Sequence, residues 1–221
     1  MNLTDRATVH AALGDPVRLG IVAELELSDR TFQELVKSAG LPGNLAAHHL
    51  AVLEKAGLIC RRVSEGDRRH RYISLRTERL DGLVQPPTSG IQSVLFVCTH
   101  NSARSQYAAA AWRQLTGWES DSVGTDPAPR VHPYAVKAAR EWSLDLTGCQ
   151  PKGYEHVKTK FDLLVSVCDR AREATPPIAG PSLHWSVPDP VAAGTLRSFR
   201  SAFADIERRV DRLAASAVTR S

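Results

Sequence analysis

The sequence lacks the features that would place it in a membrane, in an export pathway or around a structural metal. No stretch approaches the roughly 18 consecutive apolar residues that a spanning helix needs, so no membrane association is expected. The opening residues, MNLTDRATVHAALGD, have neither the cationic start nor the greasy stretch of a signal peptide, and a cytoplasmic protein is expected. Only four cysteines occur in 221 residues: Cys60, Cys98, Cys149 and Cys168. They are widely separated and form no Cys-x-x-Cys pair, which argues against a disulfide framework and a zinc knuckle. In a reducing compartment, isolated thiols are buried filler or chemically active. His10, His48 and His49 show no ligand spacing for zinc, and no metal is expected. There is no internal repeat. Apolar residues at 43% and charged residues at 24% lie near the globular average.

The net charge of +4 is unevenly placed. Between Lys55 and Arg79, eight basic residues (Lys55, Arg61, Arg62, Arg68, Arg69, Arg71, Arg76, Arg79) face three acids, Glu65, Asp67 and Glu78. That is more than the whole excess of the chain, in one short segment. Such a run is a solvated face unless a docking element lies beside it. Further on, Gly82-Leu-Val-Gln-Pro-Pro-Thr-Ser-Gly90 has the composition of a linker, because Pro86-Pro87 cannot sit inside a helix. Two domains are expected, residues 1–81 and 93–221, joined by a linker over 82–92. Their lengths, about 80 and about 130 residues, each suffice for a core, the smaller one helped by oligomer contacts.

The first half reads as mostly helical. Asp15-Pro16 is a helix start, with Asp at the N-cap and Pro at the first helical position. Thr31-Phe-Gln-Glu34 fits a capping box ahead of Leu35, Val36 and Ala39, and Gly40 ends that helix. A third helix is expected from about Asn44 to Ala56, with Leu50, Leu53 and Ala56 inward and Gly57 as its stop. Leu58–Val63 and Arg69–Leu75 then read as two strands joined through Glu65-Gly66-Asp67. Helix, short turn, helix and basic hairpin make a winged helix-turn-helix.

These residues resemble the ArsR-type winged-helix repressors, through Ala12-Leu-Gly-Asp-Pro-Val-Arg-Leu19, His48-His-Leu-Ala-Val-Leu-Glu-Lys-Ala-Gly-Leu-Ile59 and Gly66-Asp-Arg-Arg-His-Arg-Tyr-Ile73. The resemblance implies a homodimer on double-stranded DNA, with the third helix in the major groove and the wing on phosphates. Asn44, Ala47, His48 and His49 would then face base edges, with His49 equally able to pack inward, and Arg68, Arg69 and Arg71 would contact backbone. Arginines on a hairpin tip neutralise phosphates without reading sequence, whereas short polar side chains on a groove helix read it. Many relatives bind arsenite or soft metals through cysteine pairs before the turn. Thr31-Phe-Gln-Glu-Leu-Val36 holds none, and Cys60 alone cannot chelate.

The second half opens on Ser93-Val-Leu-Phe-Val-Cys98-Thr-His-Asn-Ser-Ala-Arg104-Ser105. Val94–Val97 suits a buried parallel strand, and a helix is expected to start near Ser102 because Gln106-Tyr-Ala-Ala-Ala-Ala-Trp112 favours one. Cys98 and Arg104 are thus spaced as Cys-x5-Arg on a strand-loop-helix turn. A loop at a helix N-terminus aims several N–H groups at one point and binds an oxyanion. The oxyanion cradle is expected from Thr99, His100, Asn101, Ser102, Ala103, Arg104 and Ser105, with Arg104 supplying a bidentate fork. The same field favours Cys98 as the attacking thiolate, with Ser105 donating to it and Asn101 holding the loop's shape. Downstream, Asp189 in His184-Trp-Ser-Val-Pro-Asp189-Pro190 suits a general acid for a departing oxygen.

This half resembles the low-molecular-weight protein tyrosine phosphatases and, among them, the thioredoxin-type arsenate reductases. The resemblance rests on Cys98–Ser105, Asp189-Pro190 and Phe161-Asp-Leu-Leu-Val-Ser-Val-Cys168. It implies an α/β fold with a four-stranded parallel sheet, and a last helix whose stripe (Leu196, Phe199, Phe203, Ile206, Val210, Leu213) is visible from periodicity alone. The phosphatases carry tyrosines after Asp-Pro; here Val191-Ala-Ala-Gly194 follows. The reductases carry a resolving cysteine where Cys168 stands, and a further one near Thr175, which is absent. Cys149 or an external thiol, thioredoxin or a low-molecular-weight one, would complete the cycle. Cys149 and Cys168 also fit strand-end filler. The family's potassium site needs a glutamate where Ala109 stands, so no ion or tightly bound cofactor is expected. The expectation is a DNA-binding regulator fused to a thiol-dependent arsenate reductase. The rivals are a fused phosphatase and a repressor whose inactive second half only senses an oxyanion.

Overall fold

The structure, a computed structural model, describes residues 3–80, 90–157, 159–174 and 180–218. Two compact units lie on either side of residues 81–89. Most of the expected linker, and Thr175, fall outside the described residues.

The N-terminal unit runs α1 (Leu3–Leu13), α2 (Pro16–Leu27), β1 (Arg30–Thr31), α3 (Phe32–Ala39), α4 (Gly43–Lys55), β2 (Ile59–Val63) and β3 (Arg71–Leu75). Asp15 caps α2, its Oδ1 accepting from the Arg18 amide at 3.0 Å. Thr31 and Glu34 close a reciprocal capping box on α3, and Gly40 ends it at φ +62°. β2 and β3 pair antiparallel from Ile59↔Leu75 to Val63↔Arg71, and β1 adds to the outer side of β3. Val22, Leu25, Leu35, Leu50, Leu53, Leu58 and Ile73 form the core. α1 and β1 are additions to the elements expected from sequence. In α1 the fully buried side chains are Val9 and Ala12, too thin a stripe to read, and β1 is two residues held by long-range pairing.

The C-terminal unit runs β4 (Val94–Cys98), α5 (Arg104–Thr116), β5 (Ser120–Gly124), α6 (Pro133–Ala139), β6 (Leu163–Ser166), α7 (Asp169–Glu173), β7 (Ser182–His184), α8 (Pro190–Ala193) and α9 (Leu196–Val218). The sheet has the order β5-β4-β6-β7, and all its pairs are parallel. β4 is buried along its whole length, as its apolar run requires of a central parallel strand. On one face α9 packs its stripe of Phe199, Phe203, Ile206, Val210 and Leu213 against α5, where Tyr107 stacks on Phe203 at 4.0 Å between centroids. Parallel pairing puts every strand's carboxyl end on one side. Cys98 stands opposite Gly124, and Val97 opposite Ser166. Cys168 lies just past the end of β6, so the two cysteines leave adjacent strands at the same edge, where ligands bind in open α/β sheets.

Candidate active site

Six residues after β4 ends, the chain is already helical, and the loop between is fixed by what its carbonyls do. The segment 125–132 runs beside it as a strap. Its amides at Thr125, Asp126, Ala128 and His132 donate to the carbonyls of Cys98, Thr99, His100 and Ser102 at 2.8–3.1 Å. The Ala103 carbonyl accepts from Tyr107 as the first bond of α5. In a planar trans peptide the C=O and the next N–H point opposite ways. Carbonyls drawn outward at these five positions therefore turn the amides of Thr99, His100, Asn101, Ala103 and Arg104 inward. The Asn101 amide makes this visible, donating to Cys98 Sγ at 3.1 Å. α5 starts at Arg104, two residues later than the sequence propensity suggests, and its N-terminal end adds to the same positive field.

Asn101 is the frame of the loop. It sits at φ +47°, a left-handed conformation that asparagine tolerates better than most residues, and is fully buried. Its Nδ2 donates to Ser105 Oγ and Ser122 Oγ, both at 2.9 Å. Its Oδ1 accepts from Gln106 Nε2 at 3.0 Å and from the Lys152 amide at 2.9 Å. Ser105 Oγ, held in this way, lies 3.0 Å from Cys98 Sγ.

Arg104 is 4% exposed. Its Nη1 donates to the Val187 carbonyl at 2.7 Å, and its Nη2 lies 3.4 Å from Asp189 Oδ1. Burial favours loss of its proton, but the acidic groups around it, with Cys168 the largest influence and Glu65 and Asp189 among the rest, raise it above its ordinary value. Asp189 caps α8 by accepting from the Val191 amide at 3.1 Å. The loop residues, Arg104 and Asp189 thus converge as the sequence spacing implies.

Cys168 is fully buried. Its Sγ accepts from the Ala171 amide at 3.4 Å and lies 3.4 Å from Thr99 Oγ1. Burial pushes the thiol up to about 11, the Arg104 guanidinium pulls it back, and Cys98 pushes with the burial. Cys149 is half-buried, and burial raises its thiol too; the charged groups that act on it are Arg113 and Asp145, not the loop.

A cavity of about 800 Å³ opens along the loop, with His100, Ser102, Arg130, His132, Tyr134 and Val191 among its walls. His132, which nothing in the sequence marks out, lines this cavity. Its Nδ1 accepts from the Tyr134 amide at 3.1 Å, and its ring stacks on Phe199 at 4.7 Å. Burial, and then Arg130, keep the imidazole below its usual range, against a smaller opposite pull from Asp189. Gly124 and Gln106 were passed over too. Only their long-range contacts reveal them.

On α4, Asn44, Ala47 and His48 are exposed, as are Arg68, Arg69 and Arg71 on the hairpin. His49 departs from the base-edge set: it is 7% exposed, with Nδ1 3.7 Å from Asp15 Oδ1. The cause is helical periodicity, since Ala46, His49, Leu50 and Leu53 form the inward stripe of α4. Among the described residues no group of three or more His, Cys, Asp or Glu side chains is placed to hold a metal ion. Nor is any described helix long and apolar enough to cross a membrane.

A parallel sheet ending in a Cys-x5-Arg loop, with an Asp-Pro turn across from the arginine, defines a domain of the low-molecular-weight phosphatase type. The chain belongs to that family: residues 93–221 match the family model described as Low molecular weight phosphotyrosine protein phosphatase. Residues 15–60 match Bacterial regulatory protein, arsR family. An arsenate reductase of Bacillus cereus (strain 03BB102) is 32% identical over 127 residues, 55% of this chain and 92% of that protein. A solved arsenate reductase in its oxidized state is 27% identical, covering 57% of this chain and 98% of its own, with a TM-score of 0.50. The tyrosine phosphatase Wzb from Escherichia coli K30, in complex with sulphate, shares the fold at 22% identity and a TM-score of 0.51, over 57% of this chain and 97% of its own.

Proposed function

We propose that residues 93–221 reduce arsenate at the expense of thiols in the cytoplasm, and that residues 1–81 bind double-stranded DNA as a homodimeric regulator, with 82–92 as the linker. The observation that carries the enzymatic reading is the pairing of Cys98 in its amide-lined loop with Cys168 at the adjacent strand end, both beside Arg104.

In the first step arsenate enters the loop, held by inward amides and the Arg104 fork. Cys98 Sγ attacks arsenic, a sulfur–arsenic bond forms, and one arsenate oxygen leaves as water after Asp189 hands it a proton. The loop residues Thr99, His100, Asn101, Ser102, Ala103 and Ser105 bind and shape; Arg104 holds and neutralises the oxyanion, and Cys98, Asp189 and Cys168 react. In the second step a thiol attacks Cys98 Sγ. A sulfur–sulfur bond forms, the sulfur–arsenic bond breaks, and its electron pair stays on arsenic, which falls from As(V) to As(III). The proton of the attacking thiol ends on an arsenite oxygen. Cys168 is the internal thiol for this step, and an external thiol, thioredoxin or a low-molecular-weight one, then restores both cysteines.

The same loop binds phosphate, and a phosphatase is the competing reading. The absence of an aromatic ring in Val191-Ala-Ala-Gly194 disfavours it. The deciding measurement sets arsenate-dependent thiol oxidation against p-nitrophenyl phosphate hydrolysis. Reductase turnover that Cys98→Ser abolishes is expected. Robust hydrolysis without arsenate-dependent reductant consumption would establish the phosphatase. An inert second half that alters operator binding with arsenate would instead establish a sensor.

A further inference from the structure

His184 ends β7, and residues 185–189, between it and α8, belong to no helix or strand. Asp189 is the last of them. A reacting group carried on such a stretch is placed less precisely than one on a regular element, unless neighbouring groups lock it. At the far end of the stretch Arg104 supplies the lock. Its Nη1 donates to the Val187 carbonyl at 2.7 Å, and its Nη2 lies 3.4 Å from Asp189 Oδ1. At the near end the Trp185 amide donates to the Ser166 carbonyl at 2.8 Å, and the buried Trp185 ring lies 5.8 Å from that of Phe96.

His184 adds a polar clamp to the near end. Its Nδ1 lies 2.9 Å from Ser166 Oγ and its Nε2 3.2 Å from Asp169 Oδ1, and all three residues are buried. Burial pushes the Asp169 carboxyl up, but hydrogen bonds, that of His184 first among them, hold it below the usual aspartate range. An ionised carboxylate only accepts, so Nε2 carries the proton of this bond. Ser166 ends β6 and Asp169 opens α7, with Cys168 between them in the chain. One imidazole thus braces the turn that carries Cys168 and the origin of the stretch that carries Asp189. A serine, a histidine and an aspartate in a row also make a nucleophile, but this serine is closed to solvent and no substrate reaches it. Buried polar groups that satisfy one another rigidify what they join.

We propose that His184 is a positioning residue for the oxyanion step: through Nε2 and Asp169 it fixes the origin of the 185–189 stretch and so aims the Asp189 carboxyl at the departing oxygen. In that step the Cys98–arsenic bond forms, an arsenic–oxygen bond breaks, and the proton of Asp189 leaves with that oxygen as water. The inference rests on the reading of Asp189 as the acid of this step.

The test uses the full chain and three variants. The amide nitrogen of glutamine stands as many bonds from Cα as Nε2, so His184→Gln keeps the bond to Asp169. The amide nitrogen of asparagine matches Nδ1 instead, so His184→Asn keeps Ser166 and loses Asp169. Asp169→Ala removes the same bond from the other side, and decides the matter if His184→Asn does not fold. Arsenate turnover is measured with reductant raised until the rate no longer depends on it. His184→Asn and Asp169→Ala should each slow it about tenfold or more, a part of what a general acid contributes, while His184→Gln stays within about threefold of wild type. Affinity for inorganic phosphate, titrated separately, should stay within about twofold in all three, because the loop amides and Arg104 are untouched. In the Asp189→Asn background the further loss from His184→Asn or Asp169→Ala should shrink to less than about twofold, since the acid they aim is already gone.

Losses that multiply in the Asp189→Asn background would overturn the proposal, as would His184→Gln being as slow as His184→Asn, or phosphate affinity falling in step with the rate. If the wild type hydrolyses p-nitrophenyl phosphate and reduces no arsenate, the reductase reading falls, and the same comparison on hydrolysis, which also expels an oxygen, decides the role of His184. Asp189→Asn at the wild-type rate would remove the acid and the proposal together, and a wild type with neither activity would remove the proposal and the reductase reading alike.

Discussion

Gly124 stands so close to Thr99 that a β carbon on it would lie 2.6 Å from the Thr99 carbonyl oxygen. The same atom would meet the Asn101 amide nitrogen at 3.0 Å, the group that donates to Cys98 Sγ. All of these neighbours are parts of the loop, so the loop itself must move. Gly124→Ala is expected to lower kcat/KM for the oxyanion substrate about ten- to hundredfold, since displacements well under an ångström matter at a preorganised site. Steady-state kinetics check this. Unchanged constants would mean that the loop is softer than its hydrogen bonds imply.

Asn101 gives a second prediction. Asn101→Ala removes one hydrogen bond each from Gln106 Nε2 and the Lys152 amide on one side and from Ser105 and Ser122 on the other, with Gln106 keeping the Gln150 carbonyl and Ser105 keeping Cys98 Sγ. Each buried polar group left unsatisfied costs about 1–3 kcal/mol. Alanine is also strained at φ +47°. Asn101→Gly has the same hydrogen-bond losses without that strain. Both variants should melt several degrees below wild type, alanine lower than glycine, and both should bind arsenate or phosphate more weakly. Melting curves and anion titrations separate the two contributions.

The contrast between these two residues also shows what was legible in the sequence. Features set by near neighbours could be read directly: the Thr31–Glu34 capping box, the buried run of β4, the stripe on α9 and the spacing of Cys98 and Arg104. Asn101 could be assigned to the loop because it lies inside the motif. Gly124 could not, because its importance rests on the strand pairing Cys98↔Gly124 and the strap over the loop, both non-local. His49 is ambiguous in the sequence because a histidine before Leu50 fits either side of α4; in the structure it is buried, with Nδ1 near Asp15 at the cap of α2.

The two neighbouring histidines should therefore behave differently. His49→Ala removes a buried ring and its approach to Asp15, so it should destabilise the N-terminal unit by about 1–3 kcal/mol and leave sequence preference intact. His48→Ala should alter stability by less than about 0.5 kcal/mol. If His48 reads a base edge, discrimination at one operator position should fall by about 1–3 kcal/mol. Arg69→Ala on the hairpin should weaken binding to all sequences alike and flatten the salt dependence by about one counterion. Titrations against operator variants at several salt concentrations test all three, and a lost sequence preference in Arg69→Ala would mark it as a base reader.

Acid sensitivity should trace in part to Asp162. Its Oδ2 accepts from the Gln92 amide at 3.0 Å and from the Ser93 amide and hydroxyl, both at 2.9 Å, clasping the start of β4 to the start of β6. The Gln92 and then the Ser93 bonds hold the carboxyl below the usual aspartate range. A group whose folded pKa is depressed stabilises the fold above its unfolded pKa, and this contribution disappears as pH falls through the folded value. At neutral pH, Asp162→Asn should therefore melt below wild type. The gap should narrow once pH drops under the ordinary carboxylate range and close when the wild-type carboxyl is protonated. Thermal melts of both proteins from pH 7 down to the limit of reversibility test this, and a gap that stays constant with pH would show that the clasp acts through shape and not through charge.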